Sequence, residues 1–304
     1  MIGVMLELRS YAKINLALSV GPAVSDPPER AGFHPIASWF AAVDLADVIT
    51  LERSVGGSRF EVVWADGRAV DWPLERDLFV RAHAVLESVV GRELPTRARV
   101  VKRIPAGGGL GGGSSNAAAG LRGIAALHGL DIDDAAMRRL AASIGSDVGF
   151  FLDLERGLER APRAAVVTGF GETVERVDAA WERGSAVTLL APTFGCSTVE
   201  VYRAFDATGT KRLREADVRA LAAGPGIDPS TLFNDLAGAA ESVEPRLRGL
   251  RERVETMTGE RAHVSGSGST LFTFSDADLS SLAMEGVVVT RCEFIGDALR
   301  GVGS

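Results

Sequence analysis

The chain has 304 residues, 46% of them hydrophobic, and a formal charge of −7. That length and apolar content can build one large domain or two ordinary ones around a real core, while the acidic balance argues against nucleic acid as a partner and no run of about 18 apolar residues is present to span a bilayer. Two cysteines, Cys196 and Cys292, lie far apart without CxxC spacing, which suggests neither a disulfide framework nor a thiolate metal site and suits a reducing cytoplasm; the charged start (Glu7, Arg9, Lys13) does not read as a signal peptide.

Residues 6–20 alternate as a strand, with Ile14, Leu16 and Leu18 on one face and Lys13, Asn15 and Ala17 on the other. Lys13 is one of only three lysines, with Lys102 and Lys211. In an apolar strand it either snorkels from an edge or needs a partner, because an unpaired buried ammonium is costly. Residues 41–52 and 59–64 read as further strands, parted by a Gly56-Gly57 turn. A helix is predicted over 78–90, with Phe79, Ala82, Val85, Leu86 and Val89 at helical spacing and Gly91 as its stop.

A strand at 97–104 then runs into Pro105, Ala106, Gly107, Gly108, Gly109, Leu110, Gly111, Gly112, Gly113, Ser114 and Ser115, and a helix over 116–128 follows. Glycines without Cβ atoms let successive N–H groups converge on phosphate oxygens, and the helix aims its positive end at the same place. Ser114 and Ser115 are either phosphate or metal-shell hydroxyls or helix N-caps. No lysine follows the glycines, so a Walker A loop fails. GxGxxG is present as Gly107, Gly109 and Gly112, but Asp131 and Asp133 follow a glycine and introduce a helix, so the dinucleotide reading is weak.

Another helix, capped by Asp133 or Asp134, reaches about Ile144. Asp147 sits in IGSDVGFFL, between that helix and a strand expected near Phe150. Past Phe151 the pattern changes to short strands at 164–168, 174–177 and 187–191, then helices and two late strands around 265–269. The proline-containing seam at 161–163 divides the chain into 1–162 and 163–304.

The string PAGGGLGGGSSNA (105–117) resembles the signature of the GHMP kinases. The resemblance implies an α+β, two-domain fold: a ribosomal protein S5 domain 2-like ATP-binding domain at 1–162 and a ferredoxin-like substrate domain at 163–304. ATP would lie along the loop with Mg²⁺. YAKINLAL around Lys13 and IGSDVGFFL around Asp147 resemble the AKINL and G-A/S-D-V-P-F-F motifs of the diphosphocytidyl-methylerythritol kinases, with Gly149 replacing the usual proline. That match implies Asp147 as base for the substrate hydroxyl and Lys13 as its catalytic partner, with Asn15 toward the substrate.

AGFHPIASWF (31–40) resembles the D-G-Y-H-x-L-x-T/S-x-F motif, which implies that Phe33 stacks on cytosine and His34 hydrogen-bonds it; Ala31 departs from the aspartate. APTFGCSTVEVY (191–202) resembles the opposite stacking wall, with Phe194 the choice and Tyr202 the runner-up, and SGSGST (265–270) resembles the third GHMP motif. The implied protein phosphorylates a cytidine-diphosphate-linked polyol in isoprenoid precursor synthesis, in the cytoplasm, as a monomer or homodimer with no nucleic-acid or membrane partner. Its alternatives are another GHMP small-molecule kinase, a decarboxylating relative and a catalytically silent nucleotide-binding homologue.

Overall fold

The structure is a computed structural model that describes residues 5–178, 181, 185–209 and 211–295. In chain order its principal elements are strands β1 (Met5–Val20), β2 (Ile36–Arg53) and β3 (Arg59–Trp64), helix α1 (Leu78–Val90), β4 (Thr96–Lys102), and helices α2 (Gly112–His128), α3 (Asp134–Ile144) and α4 (Val148–Phe151). Then come β5 (Ala165–Gly169), β6 (Thr173–Arg176), β7 (Ala186–Pro192), α5 (Thr198–Asp206), α6 (Glu215–Ala222), β8 (Phe233–Asn234), α7 (Ala237–Val243), α8 (Pro245–Thr258), β9 (His263–Val264), β10 (Leu271–Thr273) and β11 (Val287–Glu293). No helix among the described residues is long and apolar enough to cross a membrane.

Packing divides the chain into two compact units whose members are not contiguous in sequence. One comprises the stretch up to Ala12 with Leu45–Ile104 and Gly111–Pro162; the other comprises Lys13–Asp44, Pro105–Leu110 and the chain from Arg163 on. The long strands β1 and β2 therefore contribute to both.

In the first unit β3 and β4 pair in parallel, Arg59 opposite Arg97 through Trp64 opposite Lys102, with α1 as the crossover that a parallel pair requires. The far half of β2 pairs antiparallel with β4. Helix α1 starts where Asp77 accepts from Phe79 N, buries Phe79, Ala82, His83 and Leu86, and stops at Gly91 in the left-handed region. Helix α2 packs against it through small residues. A Cβ on Gly120 would come within 2.9 Å of Phe79, and one on Gly123 within 2.6 Å of Leu8 of β1 and Leu51 of β2, so glycine sets the distance of α2 from α1 at the first position and from the sheet at the second.

In the second unit the near half of β2 pairs with β5, which forms a hairpin with β6, and β1 runs parallel to β8. A separate antiparallel sheet has the order β11-β7-β10-β9. Its core joins Leu190, Val264, Leu271 and Val287 from the strands to Val201 and Phe205 of α5, Ala239 and Ala240 of α7, and Leu247, Leu250 and Val254 of α8.

Four local expectations change. Helix α2 begins inside the glycine run at Gly112, because Gly111 in the left-handed region starts the turn. Strand β4 ends at Lys102, since the amides of Arg103 and Ile104 donate to the Asp47 carboxylate instead of to a ladder. The strand expected near Phe150 is the short helix α4. The late strands flank residues 265–270, which form the turn between β9 and β10.

Candidate active site

The glycine loop is held by its carbonyls. Gly108 O accepts from Thr270 N (3.3 Å), Gly109 O from Ser265 Oγ (3.2 Å) and Leu110 O from Lys13 N (2.9 Å). Among the described residues the N–H groups of 106–111 donate to no other backbone carbonyl. A loop with its acceptors spent on the protein and its donors uncommitted is an anion cradle by construction. The glycines are required where the backbone demands it: Gly107, Gly109 and Gly111 all have positive φ (71°, 77° and 71°). A Cβ on Gly109 would lie 2.2 Å from Ser265 O, and one on Gly108 would lie 2.4 Å from Thr270 Oγ1.

Lys13 is no edge residue. Strand β1 lies between β2 and β8, which pairs only at Ala17 and Leu18; at Lys13 the edge amide is taken by Leu110 O, both faces of the strand's second half are buried, and Lys13 is 3% exposed. Its Nζ donates to Asn15 Oδ1 at 2.7 Å and sits 4.5 Å from the Phe40 ring centroid. Asn15 Nδ2 donates to Ser38 Oγ (2.9 Å), which donates to Ala17 O (2.6 Å). Ser265 Oγ, which also binds the loop at Gly109 O, lies 3.4 Å from both Asn15 N and Asn15 Oδ1. The sequence motifs around Lys13, Gly109 and Ser265 thus meet in one buried network, and the Asn15 carboxamide is engaged by the protein at both ends.

The turn that carries Ser265 is itself fixed by a residue without a sequence signal. Asn234 Nδ2 donates to Val264 O (2.7 Å) and Gly266 O (2.8 Å), and its Oδ1 accepts from Leu236 N (2.9 Å). Next to it His263 stacks on Phe272, with ring centroids 5.2 Å apart, and its Nε2 is buried without a hydrogen-bond partner. Burial pushes its pKa down to about 4, so the ring is neutral. Burial also raises the Cys196 thiol above its ordinary value, which makes it an inert apolar filler.

In the first unit, α2 presents its N-terminal amides at Gly112, Gly113 and Ser114. Ser114 and Ser115 are not its N-caps, since Gly111 holds that position and no side chain caps the helix. Beneath this turn Lys102, 3% exposed, pairs with fully buried Asp47. The Nζ of Lys102 lies 3.4 Å from where a Gly112 Cβ would stand, so a bound cation backs the first turn of the helix. Asn116 Oδ1 is buried with no partner. Asp147 is half-buried at the start of α4 and does not cap it. Gly149, where the motif has proline, is the second residue of α4, a first-turn position where proline is equally compatible because its amide has no intrahelical partner.

Phe33 is 57% exposed, with the Phe170 ring centroid 6.4 Å away in a T-shaped arrangement. It follows Gly32, whose φ of 83° closes the turn that binds Val24 N to Phe33 O. His34 is buried, with Nε2 2.8 Å from Asp206 Oδ1 and with Tyr202 and Phe205 as its ring neighbours. Phe194 is partly buried against the core, its carbonyl accepts from Ser269 Oγ (2.7 Å), and the Arg246 guanidinium lies 4.5 Å from its ring centroid. The ring adjoining His34 is thus Tyr202. Asp206, Asn234, Ser38 and the Asp47–Lys102 pair escape sequence reasoning because each works through a partner distant in the chain.

The family profile described as GHMP kinases N terminal domain matches residues 77–153. A homoserine kinase structure from Cytophaga hutchinsonii superposes with a TM-score of 0.66 at 15% identity, covering 98% of this chain and 97% of that one. Together with the loop and its helix, these define the GHMP kinase fold, of mixed α and β content. A 4-diphosphocytidyl-2-C-methyl-D-erythritol kinase from a Nocardioides species is 37% identical over 284 residues, 89% of each chain. A crystal structure of a 4-(cytidine 5'-diphospho)-2C-methyl-D-erythritol kinase superposes with a TM-score of 0.71 at 30% identity, covering 95% of this chain and 99% of that one. The chain belongs to the 4-diphosphocytidyl-2-C-methyl-D-erythritol kinase family.

Proposed function

We propose that the protein transfers the γ-phosphoryl group of ATP to the 2-hydroxyl of 4-diphosphocytidyl-2-C-methyl-D-erythritol, in non-mevalonate isoprenoid precursor synthesis. The observation that carries the reading is the loop 105–110, whose carbonyls are tied to Thr270, Ser265 and Lys13 while its amides are left for an anion, in a chain of this family. In the proposal the loop amides and the head of α2 take the triphosphate, Asp147 accepts the proton of the acceptor hydroxyl, and Lys13, held by Asn15, orients that hydroxyl and offsets charge. Phosphoryl transfer passes through a loose transition state, so positioning and electrostatics supply most of the rate and the base contributes about 10²–10⁴-fold.

Mg²⁺ supplies charge neutralisation on the phosphates when bound. The hydroxyl of Ser114 or Ser115, in the first turn of α2, would reach the shell of a hydrated ion carried in with the nucleotide. Phe33 and Phe194 are proposed to flank the cytosine, with His34 on its edge and Tyr202 supporting His34. The two buried, unbridged thiols Cys196 and Cys292 suit a reducing compartment, and a cytoplasmic location is part of the proposal.

The test is ADP release by purified protein with MgATP and, in turn, 4-diphosphocytidyl-2-C-methyl-D-erythritol, homoserine and mevalonate. Turnover with the first alone is expected. Turnover with an uncytidylated acceptor in its place overturns the substrate assignment.

A further inference from the structure

An imidazole can offer either a donor or an acceptor to a base, and a site that reads one base must commit it to one. His34 is 8% exposed, and its Nε2 lies 2.8 Å from Asp206 Oδ1. An ionised carboxylate only accepts, so in the neutral ring the proton sits on Nε2 and Nδ1 carries the lone pair. Among the described residues Nδ1 has no hydrogen-bond partner in the protein. Tyr202, tilted by 44° with its centroid 5.0 Å away, and Phe205, edge-on at 6.0 Å, oppose a ring flip that would exchange the two nitrogens.

Asp206 is poorly suited to its local position. It is the last residue of α5, where the helix dipole is negative and a carboxylate is unfavourable. The conflict is relieved by Lys211, whose Nζ donates to the carbonyl oxygens of Asp206 (2.8 Å), Thr208 (3.0 Å) and Gly209 (3.4 Å). A side chain placed against its own helix and bonded to one ring nitrogen is there for that pairing.

We propose that Asp206 is a specificity-determining positioning residue: it fixes His34 as the Nε2–H tautomer, so that Nδ1 accepts from the exocyclic amino group of cytosine and rejects the carbonyl that uracil carries at the same place. The proposal rests on the proposed function for one point, that the substrate's base lies against His34. Cytosine presents a donor at position 4, and a uracil-type base presents an acceptor there. Facing that acceptor, Nδ1 would set one lone pair against another and leave both unsatisfied.

The test combines two measurements on wild type, Asp206→Asn and Asp206→Glu: the nitrogen-15 NMR tautomer of His34 in the ligand-free protein with the ring neutral, and competition of CDP and UDP with the phosphate acceptor. The chain has four histidines, so a His34→Gln spectrum assigns the signal. Wild type is expected to carry its proton on Nε2 and to prefer CDP by about tenfold or more. An asparagine can accept from Nε2–H or donate to a bare Nε2. Asp206→Asn should therefore populate both tautomers, bind UDP more tightly than wild type does, and show its loss in KM for the cytidylated acceptor more than in kcat. A purely structural role would not improve UDP binding, and Asp206→Glu should restore both tautomer and preference.

Nδ1 protonation in wild type, or an asparagine variant that keeps both tautomer and preference, overturns the proposal while the cytidine reading stands. An Nε2–H tautomer that Asp206→Asn scrambles, in a protein without preference for CDP, overturns the base reading and this proposal together. If the asparagine variant does not fold, the wild-type tautomer and the glutamate variant decide.

Discussion

In the loop from Pro105 to Leu110 the working groups are backbone amides, and each glycine has a local duty: positive φ at Gly107 and Gly109, and no room for a Cβ at Gly108 and Gly109. Around Phe33 and His34 the working groups are side chains. His34 is positioned by residues far along the chain, Tyr202, Phe205 and Asp206, and Phe33 has Phe170 beside it. In the proposed function the first arrangement, which leaves no room for a side chain at Gly108 and Gly109, would recognise only what all its possible ligands share, a phosphate. The second, in the same proposal, would tolerate conservative change, such as Phe33 for the motif's tyrosine, and would be where one acceptor is distinguished from another.

The largest expected effect lies outside both regions. Asp147→Asn should lower kcat by at least about 10²-fold, because an amide cannot take the hydroxyl proton, with ATP affinity nearly unchanged by calorimetric titration. Undiminished turnover removes Asp147 from the mechanism. Next, Gly109→Ala sets a Cβ 2.2 Å from a backbone oxygen that cannot swing away, at a φ of 77°. ATP affinity should fall much further than for Gly107→Ala, where nothing lies within 4 Å and only left-handed strain of about 1–2 kcal/mol is added. If Gly109→Ala melts earlier yet binds ATP normally, the loop is a structural turn and the contrast with the aromatic region collapses.

Phe33→Ala should weaken use of the cytidylated acceptor by about 10–100-fold, the worth of one stacking face on a base, and leave ATP binding alone. Phe33→Tyr should be nearly silent in the same kinetics. Equal losses for the two variants would mean that packing against Phe170, not stacking on a ligand, is what Phe33 provides.

The smallest effect at neutral pH concerns His263, beside the turn that carries Ser265. Its folded pKa of about 4 lies below the ordinary 6.5, so the unfolded chain takes up the proton first. Above about pH 6.5 the ring contributes no pH dependence. As pH falls from there toward 4 the folded state loses stability, by no more than about 3 kcal/mol from this group. Denaturant unfolding across that range should show the slope, and His263→Phe should flatten it. An unchanged slope in the variant assigns acid lability to other groups.

Much of the fold is legible in the chain because its signals are local. Phe79, Leu86 and Gly91 mark α1 within a few residues of where it begins and ends, Asp133 marks the start of α3, and the glycine run marks the loop. Misreadings arise where local preference is overridden: residues 150–151 are apolar and aromatic like a strand, yet the turn at Asp147 folds them into α4. Lys13 reads equally well as an edge lysine or a partnered one. The answer depends on the glycine loop, almost 100 residues away, whose Leu110 O takes the Lys13 amide at that edge, while β8 pairs with β1 only at Ala17 and Leu18.

By itself the sequence determines the loop, the helix that leaves it, the kinase motifs and the identity of the candidate side chains. These depend on φ preferences, capping and periodicity, which act over a few residues. Only the tertiary structure decides that segments 13–44 and 105–110 pack with the C-terminal part of the chain. It also decides that Asn15 is spent on Lys13 and Ser38, that Asn234 ties down the Ser265 turn, and that Asp206 faces His34. Burial and hydrogen-bond satisfaction govern those choices. A buried amide, ammonium or imidazole must find its partner wherever the chain path brings one within about 3 Å, and separation in sequence carries no information about that distance.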